Sequence, residues 1–347
     1  MNPASPKLSV IIAAYNAAET LPNCLAALHH QTKPEWLHEI IVVDNGSTDP
    51  TAAVARAAGA TVVYQPKRGP AAARNAGIQV ATGNIICITD ADCQPTANWL
   101  EQISAPLRKN PEISGCKGTY LTRQTELIAR FVQLEYEDKY DLLRTQTYID
   151  FIDTYSAAYR HQVLAQNKFD ESIISNEDQE LSFRLAAQGH KMVFQPSAVV
   201  YHLHSHTLHS YFRKKIIIAY WKAQVVRRFP ARAAKDSHTP QVMKVQMGLM
   251  MLTAAALGLT LFVPSFGLWA TAGVLTLFCI TTLPFVRKAW GKDKTVALAA
   301  PFLLMVRALA LTIGYIWGTA VPQTAITAEQ SWWQNLKLVA RTLLHGK

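Results

Sequence analysis

Two carboxylates one residue apart, Asp90-Ala91-Asp92, close the apolar run Ile85-Ile86-Cys87-Ile88-Thr89 and lead into Cys93-Gln94-Pro95. At about 4 Å two such charges repel by roughly 4 kcal/mol at an effective dielectric near 20, and by about 1 kcal/mol in bulk water. A divalent cation cancels that repulsion, and oxygen ligands of this hardness suit Mg2+ or Mn2+. An acidic turn capping a strand uses the same residues, so the pair takes its meaning from what accompanies it.

Five other clusters carry polar chemistry. Ala14-Tyr15-Asn16 follows the first apolar run, where an aromatic ring either stacks on a nucleobase or fills the core. Val43-Asp44-Asn45-Gly46-Ser47-Thr48-Asp49 follows the second. There Asp44 can accept hydrogen bonds from a base or ribose, whereas Asn45-Gly46 makes a tight turn and Ser47 or Thr48 a helix cap. Arg68-Gly69-Pro70-Ala71-Ala72-Ala73-Arg74-Asn75 opens a helix with small residues and a nearby arginine, which lets a diphosphate approach closely. An alanine helix with an exposed arginine reads the same. In Asn176-Glu177-Asp178-Gln179-Glu180 the acids gain about 0.3–1 kcal/mol from the helix dipole. The alternative is a carboxylate base that deprotonates an attacking hydroxyl. Finally, Tyr201-His202-Leu203-His204-Ser205-His206 puts His202 and His204 on one strand face, able to bind metal or phosphate together, or in a solvated loop.

The elements that must hold these clusters are legible as alternating patterns. Residues 8–13, 39–43, 61–64 and 84–89 read as strands buried on both faces, with helices over 19–30, 51–58 and 71–81 between them. Pro50 just inside a helix start and Gly59 just past its end are the usual punctuation. The rhythm predicts an α/β fold with a doubly wound, mostly parallel sheet, in which ligands bind beyond the carboxyl ends of the strands. Further on, a strand is expected at 115–121, helices at 127–143 and 176–187, and two strands at 192–195 and 198–201.

Half of the 347 residues are hydrophobic and only 17% are charged, and the average hides a split near residue 242. Beyond it, 244–264, 266–286 and 296–320 each approach the ~20 apolar residues that cross ~30 Å of hydrocarbon, without the polar face of a soluble helix. Much of the net charge of +10 flanks these spans: Arg213, Lys214, Lys215, Lys222, Arg227, Arg228, Arg232 and Lys235 before the first, and Arg287, Lys288, Lys292 and Lys294 before the third. The positive-inside rule places both clusters in the cytoplasm, where they suit anionic head groups or a lipid phosphate. With no nucleic-acid module in view, the basicity points to a lipid bilayer, not to nucleic acid. No signal peptide is read in the first residues, and five cysteines without a C-x-x-C read as reduced packing residues.

The resulting expectation is a multi-pass protein of the cell membrane with its catalytic domain in the cytoplasm. The division is a catalytic domain over 1–210, a basic amphipathic juxtamembrane linker over 211–242, about three transmembrane helices over 243–321, and an interfacial amphipathic tail over 322–347. A mid-span arginine, Arg307, costs about 2.5–3.5 kcal/mol on insertion scales. It requires either a polar pocket for a lipid phosphate or a segment that is not a simple crossing. An odd number of crossings would leave Lys337 and Arg341 outside, against the charge rule.

Taken in order, Ser9-Val10-Ile11-Ile12-Ala13-Ala14-Tyr15-Asn16, Ile41-Val42-Val43-Asp44-Asn45-Gly46-Ser47-Thr48-Asp49, Arg68-Gly69-Pro70 with Arg74-Asn75-Ala76-Gly77, Thr89-Asp90-Ala91-Asp92, and Glu177-Asp178 ahead of Leu181 and Arg184 resemble the family 2 glycosyltransferases of the GT-A fold, over about residues 7–210. The resemblance implies an inverting, metal-dependent hexosyltransferase with a nucleotide-sugar donor and Mg2+ or Mn2+ on its diphosphate. It implies that Tyr15, Asp44 and Arg74 hold the nucleotide and that Asp90 contacts the ribose or the metal. Asp92 becomes the principal metal ligand, and Asp178, with Glu177 beside it, the base. Asp90-Ala91-Asp92-Cys93-Gln94 is also similar to the polyprenyl-phosphate mannosyltransferases of the family, which adds Gln94 as a ligand; His202 is a further one from its own cluster.

The C-terminal spans call for a membrane-associated acceptor: a lipid, a polyprenyl phosphate or a cell-envelope glycan. Three departures stand out. Ala13 replaces a frequent proline, and Glu180 a frequent aspartate. Gln224-Val225-Val226-Arg227-Arg228 lacks the final tryptophan of a processive Q-x-x-R-W, which argues against a polymer-threading enzyme. The alternatives are a sugar nucleotidyltransferase, whose glycine-rich loop is missing near the N-terminus, and a catalytically inactive membrane scaffold.

Overall fold

A computed structural model describes residues 6–321. The predicted alternation is present as β1 (Leu8–Ala14), α1 (Leu21–His29), β2 (Leu37–Asp44), α2 (Thr51–Ala57), β3 (Thr61–Tyr64), α3 (Pro70–Val80) and β4 (Ile85–Asp90). There follow β5 (Gln94–Pro95), α4 (Trp99–Lys109), β6 (Ile113–Leu121), α5 (Leu127–Arg144), β7 (Ala157–Arg160), α6 (His161–Gln166), α7 (Glu177–Ala187) and β8 (Lys191–Tyr201). One sheet takes all eight strands in the order β3-β2-β1-β4-β7-β6-β8-β5.

Leu8, Val10, Ile11 and Ile12 are wholly buried, because β1 lies mid-sheet with helices on both faces. The register β1 sets is what gathers the site. Ala14 lies opposite Asp44 and Ala13 opposite Asp90, so β1, β2 and β4 end level and release their polar clusters at one edge. Gly77 lets α3 settle onto the sheet; a Cβ there would collide with Ile11. Arg74 sits one turn earlier on the same helix, against the strand ends.

The other half of the sheet departs from the parallel expectation. β7 runs antiparallel to both β4 and β6, while β6 and β8 are parallel. The two strands expected at 192–195 and 198–201 are one, β8, which continues through Pro196. A register irregularity opposite, between Lys117 and Thr119, accommodates a residue without a ladder N–H.

The remaining helices are α8 (Leu208–Arg228), α9 (Ala231–Ala234), α10 (Gln241–Leu259), α11 (Pro264–Trp290) and α12 (Lys294–Ala320). The stretch read as a juxtamembrane linker is thus largely α8, whose Tyr211, Ile216, Tyr220, Trp221 and Val225 are buried. α8 and α12 run side by side, in contact at backbone level. A Cβ on Gly314 would strike the Ile216 carbonyl and one on Gly318 the Tyr220 carbonyl, and the Gln224 amide donates to Gly318 O at 2.7 Å.

α10, α11 and α12 are long and apolar enough to cross a membrane. Protein covers 17% and 22% of the most apolar stretches of α10 and α11 but 56% of that of α12, so α12 packs against α8 and α5 as well as against its two apolar neighbours. The reason is Arg307. Its guanidinium donates to Glu135 of α5 at 3.0 Å and to Gln246 of α10 at 2.6 Å. Glu135 also accepts from Tyr211 at 3.0 Å and pairs with Lys215 at 3.1 Å. Against the effect of burial, Lys215 and Arg307 hold the Glu135 carboxyl down to about 2. Glu135 therefore occupies the place where a lipid phosphate was one option. Glu135→Gln leaves two buried cations facing each other and lowers unfolding stability by about 3–5 kcal/mol, read as the denaturation midpoint of the full chain in detergent. A loss below about 1 kcal/mol would show that the pair is dispensable. The amphipathic tail expected over 322–347 lies outside the described residues.

Candidate active site

A cavity of about 1060 Å³ opens over the ends of β1 and β4, with Tyr15, Asn45, Arg68, Arg74, Asp90 and Asp92 in its wall. Tyr15 is half exposed, and the Arg68 guanidinium lies 3.8 Å above its ring. Asn16 adopts φ 48°, in the left-handed region asparagine tolerates, and its side-chain oxygen accepts from Thr48 N at 2.8 Å. That bond ties the loops after β1 and β2 together. Asp44 is buried behind the cavity wall, with one oxygen accepting Ser47 N–H at 2.9 Å, so it closes the turn after β2.

Asn45, read from the sequence only as a turn residue, positions the loop that carries Arg68. Its amide donates to Gln65 O and Lys67 O at 3.0 and 2.7 Å, and its oxygen accepts from Gly69 N at 2.8 Å. An Asn-Gly pair masks such a role, because turn propensity alone accounts for it.

Asp92, Cys93 and His202 come together beyond β4, with their ligand atoms within 4.8 Å of one another. His202 Nε2 lies 3.6 Å from Asp92 Oδ2. Burial, helped by Lys214, holds the imidazole down to about 3, so it is neutral and its lone pair is available. Its buried Nδ1 has no hydrogen-bond partner. Burial also raises the Asp92 carboxyl and pushes the Cys93 thiol well up. A protonated thiol is no ligand for a hard cation, which leaves an oxygen from Asp92 and a nitrogen from His202. Two protein ligands with open positions beside them fit an ion that also takes diphosphate oxygens and water. His204 does not join His202 there: it lies 3.1 Å from Gln133 Oε1 and stacks on Tyr136. Gln94 sits on β5 opposite Tyr201, and its side-chain oxygen accepts from Arg123 at 3.4 Å.

Arg74 links this station to α7. It is buried, donates to Asp90 at 3.1 Å with one amino group and pairs with Glu177 through the other, while its Nε has no partner. Glu177 is therefore committed to Arg74. Asp178, its neighbour, faces a second cavity and is pushed up to about 8 by burial and by the charges of Glu177 and Asp153. Its Oδ1 accepts the Gln179 N–H at 2.7 Å. The turn that presents it starts at Asn176, again left-handed at φ 65°, whose amide donates to Ile218 O of α8 at 3.3 Å. Of the three acids in this first helical turn, Glu177 and Glu180 are held in ion pairs with Arg74 and Arg184 and Asp178 is not, a division the helix dipole could not distinguish.

The second cavity, about 670 Å³, runs from Arg74, Asp90 and Asp178 to α8, α10 and α12. Lys139, Lys214 and Lys222 line it, and none had been singled out as a site residue. The available signal was the four-residue spacing of Lys214, Ile218 and Lys222, which puts them on one face of a helix.

Residues 9–167 match the model for glycosyl transferase family 2. Glycosyltransferase AglE of Haloferax volcanii is 41% identical over 103 residues, 28% of this chain and 34% of that protein. The pre-mycofactocin glycosyltransferase of Mycobacterium tuberculosis is 25% identical over 244 residues, 67% of this chain and 50% of that protein. The chain spans about a third to a half of the length of the first curated relatives it matches. Among solved structures, the mannosyltransferase PcManGT from Pyrobaculum calidifontis, in complex with GDP-Man and Mn2+, superposes with a TM-score of 0.53 at 23% identity, over 99% of this chain and 89% of that one. That likeness establishes the GT-A fold.

Proposed function

From a match of residues 9–167 to glycosyl transferase family 2, a GT-A fold and helices apolar enough to span a membrane, we propose that the chain is a metal-dependent, inverting glycosyltransferase that moves a sugar from a nucleotide-sugar donor to a membrane-held acceptor. The observation that carries this reading is Arg74. It stands in the wall of both cavities and ties Asp90 of the donor station to the helix that presents Asp178.

Tyr15 and Asp44 serve the nucleoside and Arg74 the diphosphate. Asp92 and His202 would hold Mg2+ or Mn2+, with Asp90 and Gln94 beside them. When bound, the ion supplies Lewis-acid stabilisation of the departing diphosphate. Asp178 accepts the proton of the acceptor hydroxyl as its oxygen bonds to the anomeric carbon, and the bond from that carbon to the diphosphate breaks on the opposite face. The basic residues around α8 and between α11 and α12 support a cytoplasmic catalytic domain through the positive-inside rule.

The test is nucleoside-diphosphate release by the purified full chain from a panel of nucleotide sugars, with and without Mn2+ and a lipid extract. One donor is expected to turn over, only with metal and faster with lipid. Release of pyrophosphate would instead identify a sugar nucleotidyltransferase, and absence of any metal-dependent turnover a scaffold.

A further inference from the structure

Resting on the reading that α10 and α11 enter a bilayer, we infer that α12 does not cross it. Instead α12 lies in the plane of the membrane as a part of the catalytic domain. Its outer face, Leu298, Phe302, Leu309, Ile313 and Ile316, beds in the lipids of the leaflet that faces that domain.

Both ends and the middle of α12 are fastened to the catalytic domain. Just before its start, Asp293 pairs with Arg130 of α5 at 2.6 Å, and Lys292 pairs with Glu137. In its middle, Arg307 reaches Glu135 of the same α5 at 3.0 Å. At its end, the Gln224 amide donates to Gly318 O and Val321 O at 2.7 and 2.9 Å, and Arg227 donates to Thr319 O. Val321 itself is buried with Ile173 and with Phe183 of α7. From Lys294 to Ala320 the helix measures about 40 Å. Were it to cross ~30 Å of hydrocarbon, one of these ends would lie on the far side, together with the charged partner bound to it. α8 would be drawn in beside it, taking Lys215, Lys222 and Arg227 into a medium that solvates no charge.

α12 meets the hairpin of α10 and α11 at the hairpin's base. Arg307 donates to Gln246 at 2.6 Å and Thr312 to Met247 O at 3.3 Å, both in the first two turns of α10. Ala297, Ala300 and Leu304 share a cluster with Phe285 and Ala289 in the last two turns of α11. At the other end of the hairpin Leu261, Phe262 and Trp269 are among the most exposed apolar side chains of the chain. The hairpin therefore rises from α12 and does not run beside it. A helix apolar on every side reads as a span or as core, and α12 is neither. An interfacial helix usually turns a charged face to water; here the catalytic domain covers that face, so apolar residues serve there as well. Arg307 faces protein and never enters hydrocarbon.

The test reads depth and side. The full chain with Cys279→Ser is reconstituted in phosphatidylcholine–phosphatidylglycerol vesicles. It is spin-labelled in turn at Leu298→Cys, Phe302→Cys, Leu309→Cys, Ile313→Cys and Ile316→Cys, positions whose exposure keeps the label off the packed face. Power saturation is expected to put all five labels at one shallow depth, within about 6 Å of each other. A wider spread, such as a crossing at about 1.5 Å per residue produces, overturns the proposal. In sealed vesicles of known orientation, a membrane-impermeant maleimide should reach Ala320→Cys from the same side as Lys109→Cys on α4. It should reach Ser265→Cys, at the tip of the hairpin, from the opposite side. Labelling of Ala320→Cys from the side of Ser265→Cys overturns the proposal and leaves the membrane hairpin standing. Labelling of Ser265→Cys from the side of Lys109→Cys overturns the crossing of the hairpin, and a uniform shallow depth would still support the placement of α12.

Discussion

Asp92→Ala lowers sugar transfer about a thousandfold or more, measured as nucleoside-diphosphate release at saturating Mn2+. A bound cation contributes several kcal/mol to stabilising charge on the leaving group, and about 4 kcal/mol corresponds to roughly a thousandfold in rate. Asp92 is the one carboxylate at this station that is not already tied to Arg74, and it lies 3.6 Å from a neutral imidazole. Removing it leaves His202 alone, and one nitrogen does not retain Mg2+ or Mn2+. On the proposed reading, Tyr15, Asp44 and Arg74 still hold the donor, so the loss is expected to fall on kcat more than on KM for the donor. Activity within tenfold of wild type would take the metal away from Asp92.

Asp178→Asn lowers transfer by about 10²–10⁴-fold, the usual contribution of a positioned base, and flattens the pH profile. The working form is the carboxylate, and the group titrates near 8 because burial, Glu177 and Asp153 outweigh Arg74. The wild-type rate therefore climbs with pH up to about 8 and then levels, whereas the asparagine variant shows no such rise. Stability moves the other way. A carboxyl raised above its unfolded value favours the folded state fully at low pH, and that contribution is lost as pH rises from the ordinary carboxylate range through about 8. Asparagine has no charge to bury, so at pH 8 and above the variant unfolds at a higher temperature than wild type while turning over more slowly. Wild-type turnover in Asp178→Asn would mean that the attacking oxygen arrives already ionised, as a phosphate oxygen does.

Where a side chain's neighbours are close in sequence, the letters were informative. β1 to β4 are apolar on both faces and punctuated by Pro50 and Gly59, so their extents and their shared edge could be anticipated. Tyr15, Arg74, Asp90 and Asp92 follow those strands or the helix between them, and the structure brings all four to one cavity. What was hidden depends on distant partners. Glu177 and Asp178 look alike in a first helical turn until Arg74, far earlier in the chain, claims one of them. His202 and His204 look like a ligand pair, and their rings do lie 5.6 Å apart, but Gln133 and Tyr136 engage the second while only the first reaches Asp92. β7 enters the sheet antiparallel after the long excursion through α5, which no local pattern announces. Arg307 was conspicuous, but its answer, Glu135, lies in the catalytic domain.

The close contact of α8 with α12 at Gly314 and Gly318 bears on how the two parts of the molecule are coupled. The opposite side of α8 presents Lys214 and Lys222 to the second cavity. One wall of that cavity therefore rides on a helix whose placement is set by α12 packed against it. A side chain added at Gly314 or Gly318 would push α8 away and shift that wall, while the strand edge at the ends of β1, β2 and β4 stayed where the sheet register puts it.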